Sequence, residues 1–138
     1  YPHGDFVDAA GNVMGEHKGI IKYTIGQRKG LGIAFGKPTY VCAKDAENNT
    51  VTLGSNEDLF RRELTAHGIN LIALPRIDAP IRVEAKVRYA AKPAAATAEQ
   101  TDDDTIFLRF DEPQRAISKG QSVVLYDGNA VIGGGIIS

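Results

Sequence analysis

The second half of the sequence contains the stretch Ile81-Arg82-Val83-Glu84-Ala85-Lys86-Val87-Arg88-Tyr89, in which apolar and charged residues alternate. Because successive side chains of a β-strand point to opposite faces, this period of two predicts a half-buried strand. Further strand patterns occur at 106–110, 121–126 and 130–132, the last two joined by an Asp127-Gly128 hairpin turn. Several short strands with little helix predict a small closed or nearly closed β-barrel, since closure removes exposed strand edges.

The residues before this barrel predict a smaller domain of mixed structure. Hairpins are expected over 5–16 and 39–54, where short apolar runs flank turn residues. Helices are expected over 18–25, which Gly26 would end, and within 56–64. The first half is therefore predicted to be a small α+β domain.

The boundary between the two domains is placed at 74–80, which contains two prolines. We therefore predict a central domain at 1–76 and a C-terminal β-barrel at 77–138. Residues 91–104, which are rich in alanine and end in three aspartates, are interpreted as a solvated loop. The predicted fold class is mainly β with minor α.

The composition is that of a globular protein. Of 138 residues, 43% are hydrophobic and 24% charged, and the net charge of −1 argues against a free-standing, non-specific nucleic-acid binder. The charge is uneven, at +3 over residues 1–44 and −4 over the remainder. No apolar run is long enough to cross a bilayer, so no membrane association is expected. The single cysteine fits a reducing cytosol, and the first residue, Tyr1, suggests that further sequence precedes it.

Polar, charged and flexible residues are concentrated in the stretch from Glu16 to Gly32. A phosphate-loop interpretation of Gly26 to Lys37 fails on spacing, because three residues rather than four separate Gly32 from Gly36 and Pro38 follows Lys37. A second interpretation is contact with an RNA backbone, and a third is a mobile loop that is merely solvated. The RNA-contact interpretation uses cations for phosphate and a glutamine for a base or ribose: Lys18, Lys22, Arg28, Lys29 and Gln27.

No catalytic residue and no metal site are predicted in this chain. His3, His17 and His67 lack the spacing of metal ligands, and Glu16-His17 has no nucleophile nearby, so a structural role is favoured for the histidines. Cys42 lies within a predicted strand without an adjacent cation to activate it, which favours an inert, packed thiol.

The barrel contributes three further candidate residues. Arg88 lies on the polar face of the first barrel strand, where its guanidinium is able to bind a phosphate or stack on a base. Tyr89 ends that strand, and Gln121 begins another strand near the same rim.

Several motifs, in order and spacing, resemble the bacterial tRNA-specific 2-thiouridylase family over almost the whole chain. The most specific is Tyr23-Thr24-Ile25-Gly26-Gln27-Arg28-Lys29-Gly30-Leu31-Gly32-Ile33. The others are Gly4-Asp5-Phe6-Val7-Asp8, Gly15-Glu16-His17-Lys18-Gly19, Tyr40-Val41, Val87-Arg88-Tyr89, Gly120-Gln121-Ser122 and Gly133-Gly134-Gly135-Ile136-Ile137.

The resemblance covers only the second half of that family, and it implies a central domain followed by a six-stranded-type β-barrel that resembles those of elongation factors. It implies a cytoplasmic tRNA-modifying sulfurtransferase, in which ATP with magnesium adenylates the wobble uridine and a cysteine persulfide delivers sulfur to give 2-thiouridine. Those steps belong to an N-terminal catalytic domain absent from this sequence, so the chain alone is expected to be inactive and to hold no cofactor. The implied partners are tRNA, that catalytic domain and a sulfur-donor relay protein.

For RNA contact, the resemblance implies roles for Arg88, Tyr89 and Gln121 on the barrel side and for the Gln27-Arg28-Lys29 loop in the central domain. Two alternatives remain open on the sequence. One is a small nucleotide-binding enzyme that uses the Gly26–Lys37 loop, and the other is a protein-interaction barrel that docks on a catalytic partner.

Overall fold

A computed structural model describes residues 2–87 and 92–138 of the chain. The structure divides into two compact units, one ending at Phe60 and one running from Arg61 to Ser138. The sequence-based boundary at residue 76 falls inside the second unit, because the proline-containing segment connects two strands of the barrel. No helix in the described part of the chain is long and apolar enough to cross a membrane.

The described residues form ten β-strands and two short 3-10 turns, at Ile20–Lys22 and Asn56–Leu59. In chain order the strands are β1 (Gly4–Val7), β2 (Val13–His17), β3 (Tyr40–Asp45), β4 (Thr50–Gly54), β5 (Phe60–Leu71), β6 (Ile81–Lys86), β7 (Ala94–Asp102), β8 (Thr105–Arg115), β9 (Ser122–Asp127) and β10 (Ala130–Ile137). Strand accounts for 54% of the structure and helix for 5%, which confirms the predicted mainly-β class.

The first unit is a four-stranded sheet in the order β2-β1-β4-β3. Both predicted hairpins are present, β1 with β2 and β3 with β4, and a parallel pairing of β1 with β4 joins them. One face of the sheet is covered by the long β2–β3 connection, which contributes Tyr23 and Leu31 to a core built on Phe6, Val41 and Val51.

Each of the two predicted helices is present only as a single 3-10 turn, and the rest of each prediction is wrong. The first is limited to Ile20–Lys22, between Gly19 and Gly26, and its β-branched isoleucines have low helix propensity. The second stops at Leu59, where the chain extends into β5. Its start is held by Asp58, which accepts hydrogen bonds from the Ser55 backbone N–H and hydroxyl.

The second unit is a closed six-stranded barrel in the order β10-β5-β8-β7-β6-β9. The prediction of a loop over 91–104 is wrong, since β7 occupies 94–102. Ala96 and Ala98 are fully buried and alternate with more exposed neighbours. Alanine is uncommon in strands, yet its small side chain fits the narrow interior of a six-stranded barrel.

The triple glycine of β10 lies beside two irregularities in strand pairing, and glycine within a strand often marks such a bulge. A β-carbon at Gly133 would lie 2.4 Å from the Asn70 carbonyl oxygen, and one at Gly134 would lie 2.4 Å from the Val123 carbonyl oxygen. Neighbouring strands approach so closely that no other side chain fits, so these glycines are explained by packing.

Candidate nucleic-acid interface

The β2–β3 connection forms the most one-sidedly charged part of the chain. From residue 17 to residue 44 the sequence holds six lysine or arginine residues and no aspartate or glutamate. Four of these cations were predicted contact residues, namely Lys18, Lys22, Arg28 and Lys29, and all four are exposed. Among the described residues, none of the ion pairs includes them.

Lys18 and Lys22 are held by the turn between them. The Lys18 backbone N–H donates to the Tyr23 hydroxyl at 3.0 Å, and the Lys22 backbone N–H donates to the Gly19 carbonyl at 3.0 Å. Gly19 has a φ of 120°, which a residue with a side chain rarely adopts. The cationic side chains therefore extend outward from a fixed backbone.

His17 supports this turn from inside the core. Its Nδ1 accepts a hydrogen bond from the Gly19 N–H at 3.1 Å, which assigns the hydrogen to Nε2, and Nε2 donates to the Asn49 carbonyl at 2.7 Å. The ring is fully buried and makes edge contacts with Phe6 and Tyr23. Both nitrogens are occupied and shielded from solvent, which agrees with the structural role favoured by the sequence.

Gln27 organises the turn that carries Arg28 and Lys29. Its side-chain Oε1 accepts from the Thr24 N–H at 3.0 Å, and its Nε2 donates to the Lys29 carbonyl at 2.8 Å. Its backbone carbonyl accepts from the Val41 N–H at 2.9 Å, which ties the turn to β3. The amide that the sequence offered to a base or ribose is thus used within the loop, so Gln27 supports the neighbouring cations.

A cleft of about 260 Å³ opens beside this turn. Arg28 and Lys37 line it together with five uncharged residues, Leu31, Ile33, Phe35, Pro38 and Thr39. Leu31 is buried, and the Phe35 ring packs edge-on against Phe6 with centroids 6.4 Å apart. Lys37 was not among the predicted contact residues, although the absence of acidic residues from 17 to 44 marks it in the sequence as clearly as Lys29.

The barrel-side candidates are only partly described. Arg88 and Tyr89 lie outside the described residues. Gln121 is half-buried immediately before β9, and its backbone carbonyl accepts a hydrogen bond from the Ile137 N–H at 2.8 Å. Its side-chain Oε1 is buried without a hydrogen-bond partner among the described residues, and such an acceptor is uncommon in folded proteins. Lys86, the last residue of β6, pairs with Val124 of β9, the strand that follows Gln121.

The described residues contain no cluster of three histidine, cysteine, aspartate or glutamate residues able to hold a metal ion. Burial and, to a smaller extent, the Asp58 carboxylate raise the pKa of the Cys42 thiol. A raised pKa lowers the fraction of reactive thiolate, which agrees with the inert cysteine expected from the sequence.

Comparison with known proteins assigns a family model to each unit. The tRNA methyl transferase PRC-barrel domain matches residues 2–55, and the aminomethyltransferase beta-barrel domain matches residues 61–137. These matches meet where the structure divides.

Relatives with similar sequences include proteins named tRNA-specific 2-thiouridylase MnmA. Those of Clostridioides difficile, Acetivibrio thermocellus and Clostridium botulinum (strain Alaska E43) are 59%, 55% and 54% identical to this chain. Each alignment covers 97% of this chain and 37% of the relative. The chain therefore spans little more than a third of the length of the curated relatives it matches.

Proposed function

We propose that this chain, which belongs to the aminomethyltransferase beta-barrel domain family, is the tRNA-contacting C-terminal portion of a tRNA 2-thiouridylase. The resemblance to 2-thiouridylases seen in the sequence is confirmed by relatives that carry that name. The name of these relatives supports tRNA as the substrate of the complete protein.

In this proposal the chemistry is done by the part of the protein that this chain does not span. Adenylation of uridine, with ATP and magnesium, and sulfur transfer from a persulfide are assigned to an N-terminal domain, which receives its sulfur from a relay protein in the cytoplasm. The Gly26–Lys37 loop is followed by β3 and not by the helix with which a phosphate loop continues, which supports placing the ATP site outside this chain. This chain's task is to bind and orient tRNA.

One observation carries the assignment, namely the acid-free cationic connection between β2 and β3. Lysine and arginine side chains that neutralise phosphates release condensed counterions, which drives binding without reading the base sequence. The relevant cations, Lys18, Lys22, Arg28 and Lys29, are exposed on a backbone held by His17 and Gln27. Because this backbone is already fixed, it loses little conformational entropy when the cations bind.

The barrel is proposed to supply a second contact through Arg88, Tyr89 and Gln121. Arginine and tyrosine side chains suit phosphate binding and base stacking, respectively. The buried Oε1 of Gln121 is an acceptor for a donor such as a ribose hydroxyl or a base amino group, once local rearrangement admits it.

The test is tRNA binding by this chain as a function of salt concentration. A Lys22→Ala/Lys29→Ala double variant should bind more weakly, and the slope of log affinity against log salt should fall by about two units if each cation neutralises one phosphate. Arg76→Ala is the matched control, because Arg76 is an exposed arginine already paired with Asp78 and Asp103. Equal slopes for the double variant and the wild type would refute the proposal.

A second arm separates this proposal from the nucleotide-enzyme alternative. A ligand that binds the folded state raises its stability according to its occupancy. ATP should therefore leave the melting temperature of this chain unchanged, and saturable stabilisation by ATP would favour the alternative.

A further inference from the structure

We propose that the cleft between Arg28 and Lys37 holds a single phosphate of the RNA backbone, with Lys37 as a contact residue. This inference rests on the proposed function and extends it to a defined subsite. Neither the family resemblance nor the sequence motifs assign a role to Lys37.

The cleft is small. Its volume of about 260 Å³ lies below the roughly 300–1,000 Å³ typical of pockets that enclose a whole small-molecule ligand. A phosphate with part of its ribose fits such a space. The uncharged lining residues, Leu31 and Phe35 among them, anchor the walls in the core of the first unit.

The charge of the cleft is uncompensated within the surrounding segment. Arg28 and Lys37 are both exposed, and neither takes part in an ion pair among the described residues. No acidic residue occurs between 17 and 44 to neutralise them. An arginine supplies a planar fork of donors and a lysine a compact charge, so the two can bind different oxygens of one phosphate.

Backbone donors near the cleft have no other partner among the described residues. From residue 28 to residue 38, no backbone N–H donates a hydrogen bond to any other residue that the structure describes. Gly30 and Gly32 have φ values of 76° and 79°, in the left-handed region that also occurs in backbone concavities that bind anions.

The cleft is formed before any ligand arrives. The Gln27 side chain bridges Thr24 and Lys29 on one side, and the Thr39 hydroxyl donates to the Lys37 carbonyl at 3.1 Å on the other. Thr39 is itself buried. The two cations are therefore presented from backbones that are each fixed by a side-chain hydrogen bond.

A salt-dependence experiment distinguishes one shared phosphate from two separate ones. The slope counts the phosphates neutralised, at about 0.9 unit for each in duplex and 0.7 in single strands. If Arg28 and Lys37 share a phosphate, Arg28→Ala and Lys37→Ala should each weaken tRNA binding about tenfold, the scale of a lost charged hydrogen bond. Each single variant should nearly keep the wild-type slope, and the double variant should lower it by about one unit.

The Lys22→Ala/Lys29→Ala variant is the reference for two separate phosphates, with a slope change of about two units. Wild-type affinity for Lys37→Ala, or a slope change of about two units for the Arg28/Lys37 double variant, would overturn the shared site. If the Lys22/Lys29 variant still shows its effect in that case, only the subsite is wrong, whereas loss of both effects overturns the proposed function as well. Thermal unfolding of each variant verifies its fold.

A third measurement identifies the source of the phosphate. Inorganic phosphate and ATP should each leave the melting temperature unchanged at concentrations where tRNA is bound. Stabilisation by ATP that Lys37→Ala abolishes would overturn the assignment to RNA in favour of a free nucleotide.

Discussion

Replacement of His17 by alanine should destabilise the first unit severely, because this histidine of the Gly15–Gly19 motif has a structural role and not a catalytic one. Without the ring, the Gly19 N–H and the Asn49 carbonyl lose their partners, at a cost of about 1–3 kcal/mol for each. Edge contacts with Phe6 and Tyr23 are lost too, at roughly 0.5–1.5 kcal/mol each. The expected loss in the free energy of unfolding is therefore about 3 kcal/mol or more, a large fraction of the ~5–15 kcal/mol typical of a domain.

The assay is urea unfolding followed by tyrosine fluorescence, since the chain has no tryptophan and Tyr23 contacts the His17 ring. His3→Ala is the matched control, because His3 is exposed and its contact with Glu16 at 3.0 Å is a surface pair worth less than about 1 kcal/mol. A His17→Ala variant within 1 kcal/mol of the wild type would refute this reasoning. Loss of tRNA binding at unchanged stability would point instead to a direct functional role.

Two further predictions use shifted pKa values. Burial and Asp58 raise the pKa of the Cys42 thiol, so iodoacetamide should alkylate the native chain more slowly than the unfolded chain at pH 8. Asp58→Asn should speed alkylation of the native chain. Equal rates for the native and unfolded chains would contradict this prediction. The Arg82 guanidinium lowers the pKa of the Asp111 carboxyl below its ordinary 3.8, so the ionised pair stabilises the barrel above that pH and the contribution is lost as the pH falls through the lowered pKa. Arg82→Gln should make acid unfolding, followed by circular dichroism, less steep below pH 3.8, and an unchanged profile would argue against the pair.

The barrel was predictable from the sequence because its strands carry the alternation that a half-buried sheet requires. The alternating stretch from Ile81 became β6, and the Asp127-Gly128 turn joins β9 to β10. β7 escaped prediction because alanine has low strand propensity, and only closure of the barrel makes small interior residues favourable. The extent of β5 was missed for a related reason, since its pairing partners, β8 and β10, are distant in sequence.

The candidate site was predictable in composition but not in geometry. Charge and glycine content identified the loop, and four of its cations are exposed as expected. The role of Gln27 was not predictable, because an amide free to contact RNA and an amide bonded to Thr24 and Lys29 have the same sequence. Lys37 lies beyond three glycines that break the local pattern, and only the folded chain places it opposite Arg28 in one cleft.

Shape and charge are encoded by different residues of the most specific motif. Tyr23, Gly26, Gln27 and Leu31 fix the course of the backbone through hydrogen bonds and burial. Arg28 and Lys29 supply charge, and their side chains take part in none of the hydrogen bonds or ion pairs among the described residues. A substitution at a shape residue would displace several cations together and so weaken RNA binding more than the loss of one phosphate contact. Weaker binding by a variant of Gln27 would therefore not identify a contact to RNA. A contact is identified by a replacement that leaves stability unchanged and lowers the salt slope, either alone or together with the second cation of a shared phosphate.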